Sequence, residues 1–427
     1  MKKALLLPAL IAVLILLPAC GQNAGDKQDT KTQGLQITVV SPFDSEDGNR
    51  ANFVNAYTAF QEATGYIVKD EAAASNEEWK SKVTDDFLAK NEPDILFYFT
   101  GADADQLIQN GLVVSLSDIR KVYPDYASNM KDSMMPVSTF DGRQYAVPVN
   151  GYWEGLFVNK NILAACGLAE PGADYTWERF LDDCNTIKST GYIPIACSLV
   201  EVPHYWFEYA TFNNGSITDH VNLPASSGDS IGKNWAAGLR DIKDLYEQGF
   251  FPVDTNEISY DDSCLLMVEN KAAFMIDGSW KTGWFQANAA DTSDFMITYV
   301  PAKGERSPTE IIGGLSMGYY ITKKAWDDPQ KQAACVEFIT AMTTDEVVSS
   351  FGALSVTALK NGASPPGDAD ALLMSALEMT KNCTGVVPAA QDMLNLTARS
   401  ALFADVSNIV EGFVSPEAAI DNCLSIE

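Results

Sequence analysis

Apolar and polar positions in this chain switch between a period of two and a period near 3.6. Residues 35–40 (LQITVV) predict a β-strand ending at Ser41-Pro42-Phe43-Asp44, after which Phe53, Ala56, Tyr57, Phe60 and Ala63 fall at helical spacing and Gly65 supplies a C-terminal cap. Ile67-Val68 predicts a second short strand. Ser75 with Glu78 predicts a capping box that opens a helix carrying Trp79, Val83 and Phe87, and Pro93 ends it. Residues 94–99 (DILFYF) are almost continuously apolar, as expected of a strand buried on both faces. Further on, Thr176 heads a helix with Trp177, Phe180, Leu181, Cys184 and Ile187, and 193–196 is a short strand. Trp235, Leu239, Ile242 and Leu245 mark another helix, and 272–276 another strand. Ala333, Val336, Phe338 and Ile339 form a helical stripe, and Ser415-Pro416 opens a terminal helix. Strands alternating with helices predict an α/β fold built on parallel sheet.

The stretch 141–162 (DGRQYAVPVNGYWEGLFVNKNI) organises the rest. Two β-like runs, Tyr145-Ala146-Val147 and Leu156-Phe157-Val158, are separated by Pro148 and Gly151, residues poorly suited to the middle of a sheet. Asn150, Tyr152, Trp153 and Glu154 stand at the break. This pattern suits a chain crossing from one lobe to another, lined by groups able to grip a polar, flat-faced ligand.

In open α/β sheets, ligands sit beyond the carboxyl ends of the strands. Phe43, Asp44 and Glu46 follow the first strand; Phe99, Thr100, Gly101, Asp103 and Asp105 follow the third; Asp277, Gly278, Ser279 and Trp280 follow 272–276. The competing reading makes these acids solvated loop residues and caps, as exposed acids commonly are. The aromatic cluster 202–209 (VPHYWFEY) is either the core of a second lobe or a stacking surface, with His204 and Trp206 the two picked for the surface.

A length of 427 residues allows about two or three domains. The 57 acidic against 29 basic residues give a formal charge of -28, which repels phosphate backbones and argues against nucleic-acid binding. At the N-terminus, Lys2 and Lys3 precede an apolar run that ends in Leu17-Pro18-Ala19-Cys20-Gly21. This resembles a bacterial lipoprotein signal (1–19), with Cys20 the lipidated residue and 20–34 a polar tether; an ordinary signal peptide or a single anchoring helix is the alternative. The remaining seven cysteines are scattered and odd in number, without a C-x-x-C. They indicate neither a zinc site nor a complete disulfide framework, although Cys166 could pair with Cys184 or Cys197.

The order of these segments resembles the extracellular solute-binding proteins of ABC importers, in particular the maltose-binding-protein-like carbohydrate family. The pieces that carry the resemblance are Pro93-Asp94 with its strand, Asp141-Gly142 through Pro148 to Asn159-Lys160, Gly167-Leu168 to Thr176-Trp177, Asn270 to Met275 into Gly278-Ser279-Trp280, and Ile312-Gly313-Gly314. The resemblance implies a periplasmic-binding-protein-like fold: lobe 1 from 35–147 and 312–359, lobe 2 from 148–311 and 360–427, with hinge crossings between. It implies a lipid-anchored, monomeric binding component that captures a sugar or oligosaccharide and delivers it to ABC permease subunits at the bacterial cell membrane. It calls for no cofactor or metal and no catalysis. Trp280 matches the family's sugar-stacking position, and Gly314, in the matching piece Ile312-Gly313-Gly314, is a further ligand-binding candidate. Residues 388–391 match a loop that closes over ligand, but Leu394-Asn395-Leu396 lacks the aromatic expected there, and Pro203-His204 departs from Pro-Tyr.

The chemistry is consistent with this. A sugar offers an apolar face of C–H groups and a rim of hydroxyls, so aromatics that stack and carboxylates that accept bidentate hydrogen bonds suit it. A polyamine or other cationic solute is the runner-up, because the same acids could neutralise it. Two enzymatic readings fare worse. Gly314-Leu315-Ser316-Met317-Gly318 matches a G-x-S-x-G elbow, but both histidines, His204 and His220, precede it, whereas the triad order needs one after. A secreted glycosidase would need two opposed carboxylates, one with a raised pKa. Residues 228–234 (GDSIGKN) are one residue short of a phosphate-binding loop.

Overall fold

The computed structural model describes residues 34–45, 47–138, 140–149, 151–351, 357–361 and 369–427; Cys20, Glu46 and Asn150 lie outside the described residues. Ten strands occur among them: β1 (Gln36–Ser41), β2 (Ile67–Ala72), β3 (Ile95–Phe99), β4 (Tyr152–Asn159), β5 (Ile193–Ile195), β6 (Ala272–Gly278), β7 (Phe295–Thr298), β8 (Glu310–Gly314), β9 (Met317–Ile321) and β10 (Gly385–Val387). They form two sheets. One is ordered β2-β1-β3-β9; the other is ordered β10-β8-β4-β6-β5, with β7 also paired to β4.

Each sheet is the centre of a lobe because its strands bury both faces. In the first, Ile37, Val39, Ile95, Phe97 and Ile321 pack toward Phe53, Phe60, Phe338 and Ile339, on the helices Arg50–Thr64 and Pro329–Met342. Leu96, Tyr98 and Tyr320 pack the other way, toward Trp79, Val83, Phe87, Leu107 and Ile108, on the helices Glu77–Leu88 and Ala102–Gln109. In the second lobe the period of two in β4 sends Leu156 and Val158 into one core with Phe180, Phe207 and Leu239, and Trp153 and Phe157 into another with Met275 and Phe285.

Several expectations need correcting. The sheets are mixed, since β9 runs antiparallel to β3, and β4 antiparallel to β6, β7 and β8. The cause is connectivity: β9 re-enters the first sheet directly from the second lobe, without the helical crossover that a parallel neighbour requires. The run at Tyr145-Ala146-Val147 makes only an isolated bridge, Val147 to Tyr319, because Pro148 follows at once. Asn76, not Ser75, caps the Glu77–Leu88 helix, accepting from Trp79 N–H at 2.8 Å. The seven cysteines from Cys166 to Cys423 are all unbridged. Leu315-Ser316 links β8, which pairs in the second sheet, to β9, which pairs in the first.

Candidate functional site

The two lobes face each other across the carboxyl ends of β1, β3 and β6 and the head of β4. On the second lobe, three aromatic rings form a row: Trp280 lies 6.1 Å from Tyr152 and 6.0 Å from Tyr205, centroid to centroid. Tyr205 in turn lies 6.3 Å from Tyr260 and 4.2 Å from His204. Trp280 takes its position because the chain turns at Gly278 and the indole folds back over that residue, where any side chain would collide with it. Tyr152 is fixed from the far side, its hydroxyl accepting Ala389 N–H at 3.0 Å.

Beneath this row lie carboxyl groups. Asp277 is fully buried and accepts from Tyr260 Oη at 2.6 Å and from its neighbour Gly278 N–H at 2.7 Å. Burial raises its pKa, an effect that nearby Lys281 opposes. Glu154, on the same face of β4 as Tyr152, is buried with Oε2 lacking a hydrogen-bond partner. Burial, then the charges of Glu208, Asp277 and Asp392, hold its carboxyl well above the usual carboxylate range. Asp392, on the loop after β10, is pushed up to about 7 by burial. His204 is held down at about 3, first by burial and then by the cations Lys80 and Arg399.

The first lobe supplies the opposite wall. Lys80 Nζ sits 3.9 Å from the Phe99 ring centroid and 3.2 Å from Asp103 Oδ2. Asp103 also receives Arg399 Nη2, from the second lobe, at 2.6 Å. Thr100 is tied to the crossing, its N–H donating to the Ser316 carbonyl at 2.7 Å. The lobes touch on either side of Tyr152. On the β10 side, a Cβ on Gly101 would come within 3.2 Å of the Asp392 carbonyl; on the β6 side, one on Gly48 would come within 2.7 Å of the Trp280 carbonyl. Between the lobes a cavity of about 470 Å³ is lined by Thr100, Gly101, Asp105, Tyr152, Gly314, Ser316, Asp392 and Met393, among others.

Of the residues named from the sequence, Thr100, Tyr152 and Gly314 line this cavity; Phe99 and Asp103 meet Lys80, His204 and Trp280 pack on Tyr205, Glu154 and Asp277 are buried, and Ser279 N–H donates to the Trp153 carbonyl. Asp44 is at the edge of the cleft, its carboxylate accepting Asp47 N–H at 3.1 Å. Three aromatics are elsewhere. Phe43 packs among Phe53, Phe97 and Phe351; Trp153 faces away from Tyr152 and stacks on Phe157; Trp206 packs between Phe180 and Phe251. Each is within 4% of complete burial, so none can offer a ring face to a ligand without the core opening. Ser316 sits in a strand, two-residue link, strand sequence, which is not the strand-to-helix elbow of a nucleophile.

Sequence reasoning missed Lys80, Tyr205, Tyr260, Asp392 and Arg399. Arg399 had a local signal: it falls on the stripe of Leu402 and Val406, where a helix otherwise buries apolar side chains. A charge there needs a partner from elsewhere in the fold.

Comparison with known proteins bears on this architecture. The family described as bacterial extracellular solute-binding protein matches residues 55–355. No curated protein sequence matches the chain. Among solved structures, a chitin oligosaccharide binding protein superposes with a TM-score of 0.80 at 20% identity, over 92% of this chain and 98% of that one. RafE in complex with raffinose gives 0.70 at 16% identity, over 92% and 98%. The maltose/maltodextrin-binding domain MalE from Bdellovibrio bacteriovorus, bound to maltotriose, gives 0.69 at 18%, again over 92% and 98%. At these identities the similarity establishes the fold, periplasmic-binding-protein-like with two α/β lobes.

Proposed function

The chain belongs to the bacterial extracellular solute-binding proteins, whose place is outside the cytoplasm, and from that premise we propose that it captures a sugar or oligosaccharide between its lobes for an ABC importer. The observation that carries the reading is the aromatic row Tyr152–Trp280–Tyr205, set over buried carboxyls and faced by Lys80 and Phe99 from the opposite lobe. Rings take up the C–H face of a sugar, and the polar groups at the edge satisfy its hydroxyls. The names of the structural neighbours, which bind chitin oligosaccharide, raffinose and maltotriose, point the same way.

In this reading the protein binds and does not transform. Ligand bridging both lobes favours the closed arrangement by its differential affinity, and the closed form presents both lobes to the permease subunits. Attachment is through acyl chains on Cys20; among the described residues no helix is long and apolar enough to cross a membrane. Mass spectrometry of the membrane-extracted protein tests the anchor: an acylated Cys20 is expected, and an unmodified one excludes it.

A cationic solute is the second reading, favoured by the cavity lining, where Asp105, Asp392 and Glu427 are joined by no basic side chain. Calorimetric titration with mono-, di- and trisaccharides and with spermidine decides between them. Heat with a saccharide is expected; spermidine binding with no heat from any saccharide would reverse the assignment.

A further inference from the structure

We propose that Arg399 is a positioning residue for ligand capture: without touching the ligand, it fixes the one relative placement of the lobes in which the cleft is complete. The proposal rests on the reading of the cleft as a ligand site, and it adds a determinant of affinity that works through lobe placement and not through ligand contact.

Arg399 is anchored in the second lobe. Its helix, Leu396–Val410, buries Ala398, Leu402 and Val406 in that lobe's core. Its guanidinium nevertheless reaches the first lobe, with Nη2 2.6 Å from Asp103 Oδ1 and 3.3 Å from Glu77 Oε2. Asp103 belongs as firmly to the other side, since its helix Ala102–Gln109 buries Ala104, Leu107 and Ile108. Lys80 completes the group, 3.2 Å from Asp103 and 3.1 Å from Glu77. The side chains of Arg399 and Asp103 are 0% and 3% exposed, so closing the lobes takes both charges out of water.

That burial decides what the group can do. Dehydrating an ion pair costs about as much as its attraction returns, so the cluster is weak glue. It is, however, intolerant of misplacement, because a buried charge without its partner is strongly unfavourable. A planar guanidinium shared between two carboxylates admits a narrow range of approach. Closed arrangements that seat Arg399 on Asp103 survive, and those that miss are penalised. Ligand affinity then includes the free energy of reaching that arrangement, whatever the ligand is.

The test is a titration of wild type, Arg399→Ala, Asp103→Asn and the double variant Arg399→Ala/Asp103→Asn against maltose, raffinose and chitobiose, with small-angle scattering of each protein. Each single variant should weaken every sugar that binds wild type by at least tenfold and by a common factor, leaving their rank order unchanged. The double variant should recover to within threefold of wild type, and the singles should show a larger radius of gyration with sugar present. Because Asp103→Asn perturbs the pair from the opposite lobe, poor folding of Arg399→Ala leaves the test intact. Affinities unchanged in both singles, or a loss that reorders the sugars as a ligand contact would, overturns the proposal while the sugar-binding reading stands. Should wild type bind none of the sugars, the sugar reading falls, and the proposal is then decided on scattering alone: singles as compact as wild type overturn it.

Discussion

The indole of Trp280 lies across Gly278, so close that a β-carbon on Gly278 would come within 2.2 Å of the ring. The two residues form one device: glycine leaves the space, and the ring fills it. Gly278→Ala should therefore act as a mutation of Trp280, swinging the indole off its seat. Both Gly278→Ala and Trp280→Ala are expected to weaken saccharide binding at least tenfold, about 1.4 kcal/mol, with the fold retained. Titration calorimetry measures the loss, and circular dichroism checks the fold. Normal affinity in Gly278→Ala would show that the ring does not stack on ligand.

Proton linkage gives two opposed predictions. Burial in the closed cleft raises Asp392 to about 7, so relative to an open state with an ordinary carboxyl, closure is progressively disfavoured as pH rises from about 4 to 7 and constant above. Asp47, pushed up to about 6 chiefly by burial, has the same sign. His204, held at about 3, has the opposite one: closure is disfavoured as pH falls below about 6.5, where an open-state imidazole takes a proton. Between pH 7 and 5 the effects oppose each other. His204→Gln should make affinity for a neutral sugar rise as pH falls through this window, and Asp392→Asn combined with Asp47→Asn should make it fall; parallel slopes in the two proteins would contradict the assignment.

Glu208 holds the loop that carries Asp392. Fully buried, its carboxylate accepts Ala390 N–H at 2.6 Å and Gln391 N–H at 2.8 Å, with His220 Nε2 at 3.4 Å. Glu208→Ala strands two buried amides, which costs about 1–3 kcal/mol. Hydrogen exchange at Ala390 and Gln391 is expected to accelerate at least tenfold and ligand affinity to drop. Unchanged protection would mean that the loop is held by other contacts.

Arg306 is tied into the second lobe by buried hydrogen bonds. Its buried guanidinium donates to Asn213 Oδ1 at 2.7 Å and to the carbonyls of Val300, Pro301 and Glu310 at 2.7–2.9 Å, between the rings of Tyr209 and Phe212. Dehydration pulls its pKa down to about 10, yet it stays charged at neutral pH. Arg306→Met removes a donor from four acceptors, of which Asn213 Oδ1 keeps Lys303 N–H and the Pro301 carbonyl keeps Asn213 Nδ2, and should destabilise the protein by about 3 kcal/mol in urea unfolding. A loss under about 1 kcal/mol would indicate that water replaces the guanidinium.

The strands that organise the cleft were legible because their cause is local. Continuous apolar runs at β3 and β6, and a Thr or Ser before a helical stripe at Thr176 and Ser415, mark the elements that the structure contains. The position of Trp280 just past a buried strand was legible for the same reason. Trp153 was misread although the period of two already puts it opposite Tyr152 and Glu154. Trp206 was misread because α-helical phase within His204–Phe212, where every residue from Tyr205 on is buried, separates nothing by periodicity. Arg399 and Asp103 stand 296 residues apart, and no local pattern encodes that one lobe's acid meets the other lobe's base.

The two-residue link Leu315-Ser316 has a mechanical consequence. Thr100 is fastened to Ser316, so under the lobe closure proposed above the end of β3 would ride on the pivot and barely travel. Displacement grows with distance from a pivot, so the outer rims sweep the longest arc. Paired spin labels on those rims would register a small rotation as a large change in separation, while a pair astride Thr100 and Ser316 would stay nearly still.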